Sequence, residues 1–282
     1  MDWLKPAMDH FRLRPETERL GGEYDLNFRA TDDDGPVILK VMRENCDPAL
    51  VGMQIGAINH ARAMDPDLPL PEVLDTPFSF PDDTGAQRLA WAQRALPGRP
   101  FAEVVEPSLP LLHDLGAMAG RLSRALRGFD HPLLDRAQKW QLTKAGWIRD
   151  HLHVLSGTRR ALVEGIISAF EALRPALDAL PRQAVHNDLN DWNILIRQGI
   201  AAPSAVTGLI DFGDMTRAPV VTDLAILAAY AILDRDDPEA ALAALVAGYH
   251  GACPVGEGEL ALIWPLIRMR LAVSVVNSTI EA

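Results

Sequence analysis

The chain has 282 residues, of which 48% are hydrophobic and 23% are charged, a globular composition with enough length for two lobes. Its formal net charge of −11 argues against general nucleic-acid binding, because nucleic-acid-binding proteins usually display a basic surface. The two cysteines, Cys46 and Cys253, have no paired spacing, so neither a disulfide framework nor a structural zinc site is indicated. A reducing cytoplasm is the expected compartment.

Two segments of the sequence bear on secretion and membrane insertion. Polar residues interrupt the segment 1–11, so it lacks the apolar core of a signal peptide. The most apolar stretch, 220–233, is too short to span a bilayer and contains Asp223, which fits a buried helix. The sequence therefore predicts neither secretion nor a membrane span.

In chain order, the first part is rich in predicted strands and the rest in predicted helices. Strands are predicted over 26–30, 37–42 and 88–95, with turn residues at 32–35 and a helix over 49–64. A proline- and glycine-rich segment, 96–100, marks the boundary, and apolar spacing then predicts helices over 109–126, 140–155 and 162–180. The expected class is α+β, with a small antiparallel sheet domain over 1–95 and a mostly helical domain over 96–282.

The chemistry-bearing residues concentrate in two short segments beside apolar runs. Asp188 and Asn193 lie five residues apart in the first, which suits a carboxylate near an acceptor hydroxyl and an amide oxygen for a hard cation. Asp211 ends the next predicted strand and would supply an anionic ligand. Two such ligands are enough for a nucleotide-bound magnesium ion, because Mg²⁺ usually keeps waters and phosphate oxygens as its other ligands.

These segments resemble the catalytic and metal loops of a known family. The pattern HxDxxxxN from His186 to Asn193, followed by Asp211-Phe212-Gly213, is similar to protein kinases and to the aminoglycoside phosphotransferase and choline kinase-like family. Together with 186–193, the segments 209–215 and 223–225, with Tyr230 beyond them, resemble its hydroxylysine-kinase-like branch in particular. Upstream, the segment 22–28 resembles the nucleotide-covering hairpin of that branch, 37–40 its lysine strand and 96–99 the part after its hinge.

The resemblance implies a bilobal, protein-kinase-like fold that binds ATP between its lobes and transfers the γ-phosphoryl group to a hydroxyl. Asp188 would orient the acceptor hydroxyl, and Lys40 would neutralise the α- and β-phosphates. Asn193 and Asp211 would bind Mg²⁺, while His186 and Asp223 would brace the catalytic loop. The residues expected at the nucleotide are Lys40, Gly21, Gly22, Gln93, Ala95, Asn193 and Asp211.

By the same resemblance, the acceptor is a small hydroxylated amine or amino acid. Hydroxylysine-like compounds come first, followed by aminoglycosides, choline, homoserine and other small alcohols. Asp191 and Asp214 could balance a substrate amine or act as hydrogen-bond partners of the catalytic residues. Arg268 and Arg270 could be solvated or paired, or bind a substrate carboxylate. GTP in place of ATP, and the oligomeric state, stay open.

One departure from the kinase pattern concerns the partner of Lys40. Protein kinases pair this lysine with a helix glutamate, but no glutamate occurs between Asn45 and Leu70. Gln54 stands at the expected place, and Asp25 or Glu44 could substitute. The departure leaves a catalytically impaired nucleotide-binding protein as the alternative. A protein kinase ranks last, because the chain has no glycine-rich loop and little room for an activation segment.

Overall fold

The computed structural model describes residues 2–22, 25–198 and 204–281. The first part is a five-stranded antiparallel sheet with strand order β1-β2-β3-β5-β4. Its strands are β1 (Glu18–Leu20), β2 (Leu26–Thr31), β3 (Pro36–Val41), β4 (Val73–Pro81) and β5 (Gln87–Arg94). The helices of this part are α1 (Lys5–His10) and α2 (Pro48–Met64).

The β2–β3 hairpin places Lys40 on one face of the sheet. Asp32 accepts hydrogen bonds from the amides of Asp34 and Gly35 at 2.9 Å each, and Gly35 has a φ of +131° that favours glycine. Side chains alternate along β3, so Val37, Leu39 and Val41 are buried on one face. Lys40 lies on the opposite face, which overlooks the second part of the chain.

The second part is mostly helical and carries two small sheets. Its helices are α3 (Leu109–Ala125), α4 (Gly157–Ala172), α5 (Arg174–Asp178), α6 (Val221–Ala231), α7 (Pro238–Ala252) and α8 (Glu257–Glu281). Its strands are β6 (Arg99–Pro100), β7 (Gln183–Val185), β8 (Ile194–Arg197), β9 (Ala205–Leu209) and β10 (Thr216–Ala218). Strand β7 pairs with β10, and β8 pairs with both β6 and β9.

The two small sheets fix the loops that carry the candidate catalytic residues. The segment 186–193 joins β7 to β8, and 210–215 joins β9 to β10. Strand β6 follows the first part of the chain and pairs with β8, which also pairs with β9. The segment after the first part is therefore joined directly to this region. Close packing requires Gly98, because a Cβ there would lie 2.6 Å from Oγ1 of Thr207 and its φ is +120°.

The expected α+β class is confirmed, and most predicted elements lie within one or two residues of the observed ones. The predicted helix over 140–155 is wrong: Leu142–Val154 is a 3₁₀ stretch with a break at Lys144. Its buried side chains Leu142, Ala145 and Ile148 recur every three residues, a spacing that a 3₁₀ turn satisfies as well as an α-helix. The predicted helix over 162–180 divides into α4 and α5 at Leu173, near Pro175.

Two apolar cores hold the fold together. The smaller core lies between α1 and one face of the five-stranded sheet and includes Phe28 and Phe80. The larger core runs without interruption from Trp91 on the sheet, through α2, into the helices of the second part. Helices α3 and α7 pack closely in it because Gly116 and Gly248 bring the two backbones together. Within the described ranges, no helix is both long and apolar enough to cross a membrane.

Candidate active site

The loop that carries Asp188 is held from beneath by a buried carboxylate. Asp223, in the first turn of α6, accepts hydrogen bonds from the amides of His186 at 2.8 Å and Asn187 at 2.7 Å. Asn187 has a φ of 65°, so the chain turns sharply immediately before Asp188. Burial raises the pKa of Asp223 to about 6, although the two amide hydrogen bonds oppose that shift. The predicted bracing role of Asp223 agrees with this geometry.

His186 joins the two loops and is neutral. Its Nδ1 accepts from the amide of Asp188 at 3.3 Å, so we assign the proton to Nε2, which lies 3.0 Å from the carbonyl oxygen of Ile210. Burial lowers the pKa of His186 to about 4. The uncharged ring therefore bridges the loops that carry Asp188 and Asp211 by hydrogen bonds to both.

Three side chains donate hydrogen bonds to the Asp188 carboxylate. Asn190 Nδ2 lies 3.0 and 3.1 Å from its two oxygens, and Asn193 Nδ2 lies 2.7 Å from Oδ2. Arg270 Nη2, on α8, lies 3.0 Å from Oδ1. Burial raises the pKa of Asp188 to about 7, while the positive charge of Arg270 acts in the opposite direction. The carboxylate is thus fixed in direction, and its pKa lies near neutral pH.

Asp211 and Lys40 form an ion pair at the opposite side of the cleft. Lys40 Nζ lies 3.1 Å from Asp211 Oδ1 and 5.5 Å from the centre of the Trp91 ring. Asp211 has a φ of 66° and a ψ of 76°, a left-handed conformation that directs its carboxylate back toward β3. The charge of Lys40 lowers the pKa of Asp211, so Asp211 is ionised at neutral pH.

The glutamate that protein kinases use with this lysine has no direct replacement among the described residues. Asp25 Oδ1 accepts from the amide of Arg43 at 2.8 Å, and Glu44 pairs with Arg88 at 3.2 Å. Gln54 is buried beside Gly213, and no hydrogen bond joins it to Lys40 in the described part of the chain. Among the described residues, Asp211 is therefore the carboxylate that pairs with Lys40, and neither Asp25 nor Glu44 takes that place.

A cleft of about 620 Å³ contains part of the predicted constellation. The predicted residues that line it are Gly22, Lys40, Asp188 and Asp211. A Cβ on Gly22 would lie 2.5 Å from the carbonyl oxygen of Asp25, so only glycine fits there. Glu23 and Tyr24, which belong to the segment likened to a nucleotide-covering hairpin, lie outside the described residues.

The other predicted residues, Gly21, Gln93, Ala95 and Asn193, are not among those that line this cleft. Asn193 contacts Asp188 from behind, and Gly21 accepts a hydrogen bond from Asn27 at 3.2 Å. Gln93 is buried near the end of β5. The amide of Ala95 is already bonded to the carbonyl of Pro36 at 3.0 Å.

Sequence reasoning missed two contributors to the loop geometry. Arg136 is half-buried and donates to the carbonyl oxygens of Gly213 at 2.7 Å and Met215 at 2.6 Å, which holds the segment after Asp211. Asn190 fixes Asp188, as described above. Neither had a sequence signal, because the first acts across 77 residues of chain and the second stands in a loop where asparagine is common.

A loop aspartate with a nearby asparagine, a second aspartate paired with a strand lysine, and an antiparallel sheet above them define a protein-kinase-like phosphotransferase fold. A sequence model of the phosphotransferase enzyme family, APH, matches residues 16–263, and the chain belongs to this family. The resemblance stated from the motifs is thereby confirmed.

Known proteins similar to this chain include kinases of small molecules. Hydroxylysine kinase of Mus musculus is 30% identical over 280 residues, covering 89% of this chain and 74% of that protein. Hydroxylysine kinase of Danio rerio is 26% identical, covering 96% and 84%. The fold is similar to that of a microcompartment-associated aminopropanol kinase, with a TM-score of 0.70, 16% identity and coverage of 96% and 87%. The chain is therefore a small-molecule phosphotransferase with a hydroxyl group as acceptor.

Proposed function

We propose that the protein transfers the γ-phosphoryl group of ATP to the hydroxyl of a small amino acid or amine of the hydroxylysine type. The observation that carries the proposal is the arrangement of Asp188 and the Lys40–Asp211 pair on one cleft. Phosphoryl transfer asks a protein mainly to align the nucleophile and neutralise phosphate oxygens, and this cleft offers a carboxylate for the first task and a cation for the second.

In this mechanism, Asp188 orients the acceptor hydroxyl and accepts its proton. Its pKa of about 7 matches that role, since a base works best when its pKa lies near the working pH. Lys40 would turn from Asp211 toward the nucleotide phosphates, because a phosphate oxygen offers it a stronger anionic partner. Asp211 would then be released to act as a ligand of a cation.

The residues present fit Mg²⁺. Asn193 Nδ2 donates to the backbone oxygen of Asp188 at 2.9 Å and to the Asp188 carboxylate. Because Nδ2 faces Asp188, Oδ1 of Asn193 faces away from it. Among the described residues, neither Asn193 Oδ1 nor Asp211 Oδ2 accepts a hydrogen bond. Bound Mg²⁺ would neutralise phosphate charge, and two oxygen ligands suit it because the phosphates and waters supply the others.

For the nucleotide, we propose that the adenine lies against Gln93 and Ala95, with the phosphates directed toward Lys40. Gly21 and Gly22 would cover the phosphates, which the absence of a side chain at Gly22 supports. Since the amide of Ala95 is bonded to Pro36, its carbonyl is the backbone group left to meet the adenine amine.

For the acceptor, the hydroxylysine kinases similar to this chain support a hydroxylated amino acid or amine. The cleft lining carries both signs of charge near Asp188, with Asp214 and Lys139 among its residues. Burial raises the pKa of Asp214, so this carboxylate would gain from a cationic neighbour such as a substrate ammonium. Such a mixed lining suits a zwitterionic acceptor better than a neutral sugar.

A catalytically impaired protein of the same fold is not favoured. Its support was the missing helix glutamate, yet the Trp91 ring on the neighbouring strand lies 5.5 Å from Lys40 Nζ and would still contact the lysine after it turns from Asp211. A protein without turnover also has no need for Asp188, Asn193 and Asp211 together.

The test is ADP release by the purified protein with MgATP or MgGTP and a panel of acceptors. The panel contains 5-hydroxylysine, 1-aminopropan-2-ol, homoserine, choline and an aminoglycoside, with lysine as the control that lacks the hydroxyl. Asp188→Asn should abolish turnover, whereas Asp83→Asn, an exposed change on the β4–β5 turn, should not. Product mass must show one added phosphoryl group. Failure of every acceptor, or full activity of Asp188→Asn, would contradict the proposal.

A further inference from the structure

A buried arginine on the last helix contacts the candidate base. Arg270, on α8, is only 2% exposed, whereas Arg268 on the same helix is partly exposed. A buried guanidinium is costly unless it is paired, so the position of Arg270 calls for a partner.

Three neighbours fix this guanidinium. Nη2 lies 3.0 Å from Asp188 Oδ1, and Nε lies 3.1 Å from the hydroxyl of Tyr230 on α6. That hydroxyl lies 3.1 Å from Ser274, one turn further along α8. The ring of Trp140 lies 4.9 Å from the guanidinium carbon and that of Tyr230 lies 5.5 Å from it. The side chain therefore cannot rotate away from Asp188 without losing all of these contacts.

The charges near Asp188 make Arg270 its necessary counter-ion. Asp211 and Asp214 both act on Asp188 as like charges. Lys40 is occupied by Asp211, and Arg136 donates to backbone carbonyls. Among the described residues, Arg270 forms the ion pair with Asp188, and Asp188 is the carboxylate that pairs with Arg270.

We propose that Arg270 is a positioning residue for the transfer reaction: it holds the Asp188 carboxylate in the direction from which it meets the acceptor hydroxyl. The inference rests on the proposed role of Asp188. Asn190 and Asn193 also donate to this carboxylate, but both belong to its own loop and would move with it. Arg270 instead connects the carboxylate to α8 and, through Tyr230, to α6, and both helices contribute to the larger core.

The test compares Arg270→Met and Arg270→Lys with Arg160→Met, the same type of change at an exposed position on α4. Arg270→Met should lower kcat by about 10-fold or more, because small displacements of a reacting group can cost up to about 100-fold. The KM for ATP should stay within about twofold, since Arg270 is not among the residues that line the cleft with Lys40 and Asp211. Arg270→Lys should recover part of kcat, and Arg160→Met should behave like the wild type.

A second readout uses thermal unfolding of Asp188→Asn, Arg270→Met and the double variant. Each single change should lower Tm because it strands a buried partner, and the double change should lower it by less than the sum of the two. If Arg270→Met does not fold, Tyr230→Phe, which keeps the ring but removes the hydroxyl that contacts Nε and Ser274, should still lower kcat with an unchanged KM for ATP.

The outcomes separate this inference from the proposed function. Full activity of Asp188→Asn would remove the proposed function and the inference together. An inactive Asp188→Asn protein beside an Arg270→Met protein of normal kcat would overturn the inference alone. A loss of kcat in Arg270→Met that Arg270→Lys does not relieve at all, with additive changes in Tm, would reduce Arg270 to a packing residue and also overturn it.

Discussion

Replacement of Asp223 by asparagine tests how the catalytic loop is held. The wild-type carboxylate is 0% exposed and accepts two backbone amides. Asparagine keeps its shape but offers one acceptor oxygen and an amide group that faces the second donor. The loss of that hydrogen bond should cost about 1–3 kcal/mol of folding free energy, and asparagine at the same time removes the cost of burying a charge.

The two effects separate with pH. The pKa of Asp223 is raised from 3.8 to about 6 in the folded protein, so the folded state binds a proton more readily than the unfolded chain does. Its contribution to stability is therefore greatest below the unfolded pKa and is lost as the pH rises through about 6. Proton linkage gives a change of about 1.4 kcal/mol between pH 5 and pH 7.5.

The assay is urea unfolding of the wild type and Asp223→Asn at both pH values. All other titrating groups are shared and cancel in the difference between the two proteins. The wild type should gain about 1.4 kcal/mol relative to the variant when the pH falls from 7.5 to 5. A difference that does not change with pH would refute the reasoning, because it would mean that the two amides keep the carboxylate's pKa near its unfolded value.

Three further changes probe other parts of the molecule. Lys40→Met should lower kcat/KM by about 100-fold or more in the ADP-release assay, because the phosphates lose their cation; a smaller loss than 10-fold would contradict its role. Gly248→Ala should lower the free energy of unfolding by about 2–3 kcal/mol, since its Cβ would collide with the carbonyl of His113. Gly251→Ala, with no atom within 4 Å of its Cβ, should be neutral or up to about 1 kcal/mol stabilising. Equal changes in the free energy of unfolding for Gly248→Ala and Gly251→Ala, measured with urea, would disprove this account. Removal of divalent cations with EDTA should abolish turnover and added Mg²⁺ should restore it, so turnover that survives EDTA would rule out a required cation.

Local signals account for the parts of the fold that could be predicted. The β2–β3 hairpin follows from turn residues between two apolar strands, and α2 and α3 follow from helical spacing. Strand β4 was missed because Asp75 takes a left-handed conformation and the register shifts between Leu74 and Phe78, which breaks the alternation. Helix α1 was missed because it is too short for a periodic signal.

The candidate site divides in the same way. Asp188, Asn193 and Asp211 are recognisable because their spacing is local and their chemistry specific. Their supports are not local: Arg270 lies 82 residues from Asp188, and Lys40 lies 171 residues from Asp211. Sequence reasoning considered Arg270 only as solvated, paired or bound to a substrate carboxylate, since no spacing rule connects a last-helix arginine to a loop aspartate.

Because α2 and the inner face of the sheet share one apolar cluster with the second part, the two halves depend on each other to fold. A cut after residue 95 would separate Met53, Ala57 and Trp91, all at most 1% exposed, from the side chains that cover them. Neither fragment would then keep a closed interior. We therefore expect the chain to unfold as one cooperative unit, with the predicted boundary near residue 95 not separating two independently stable pieces.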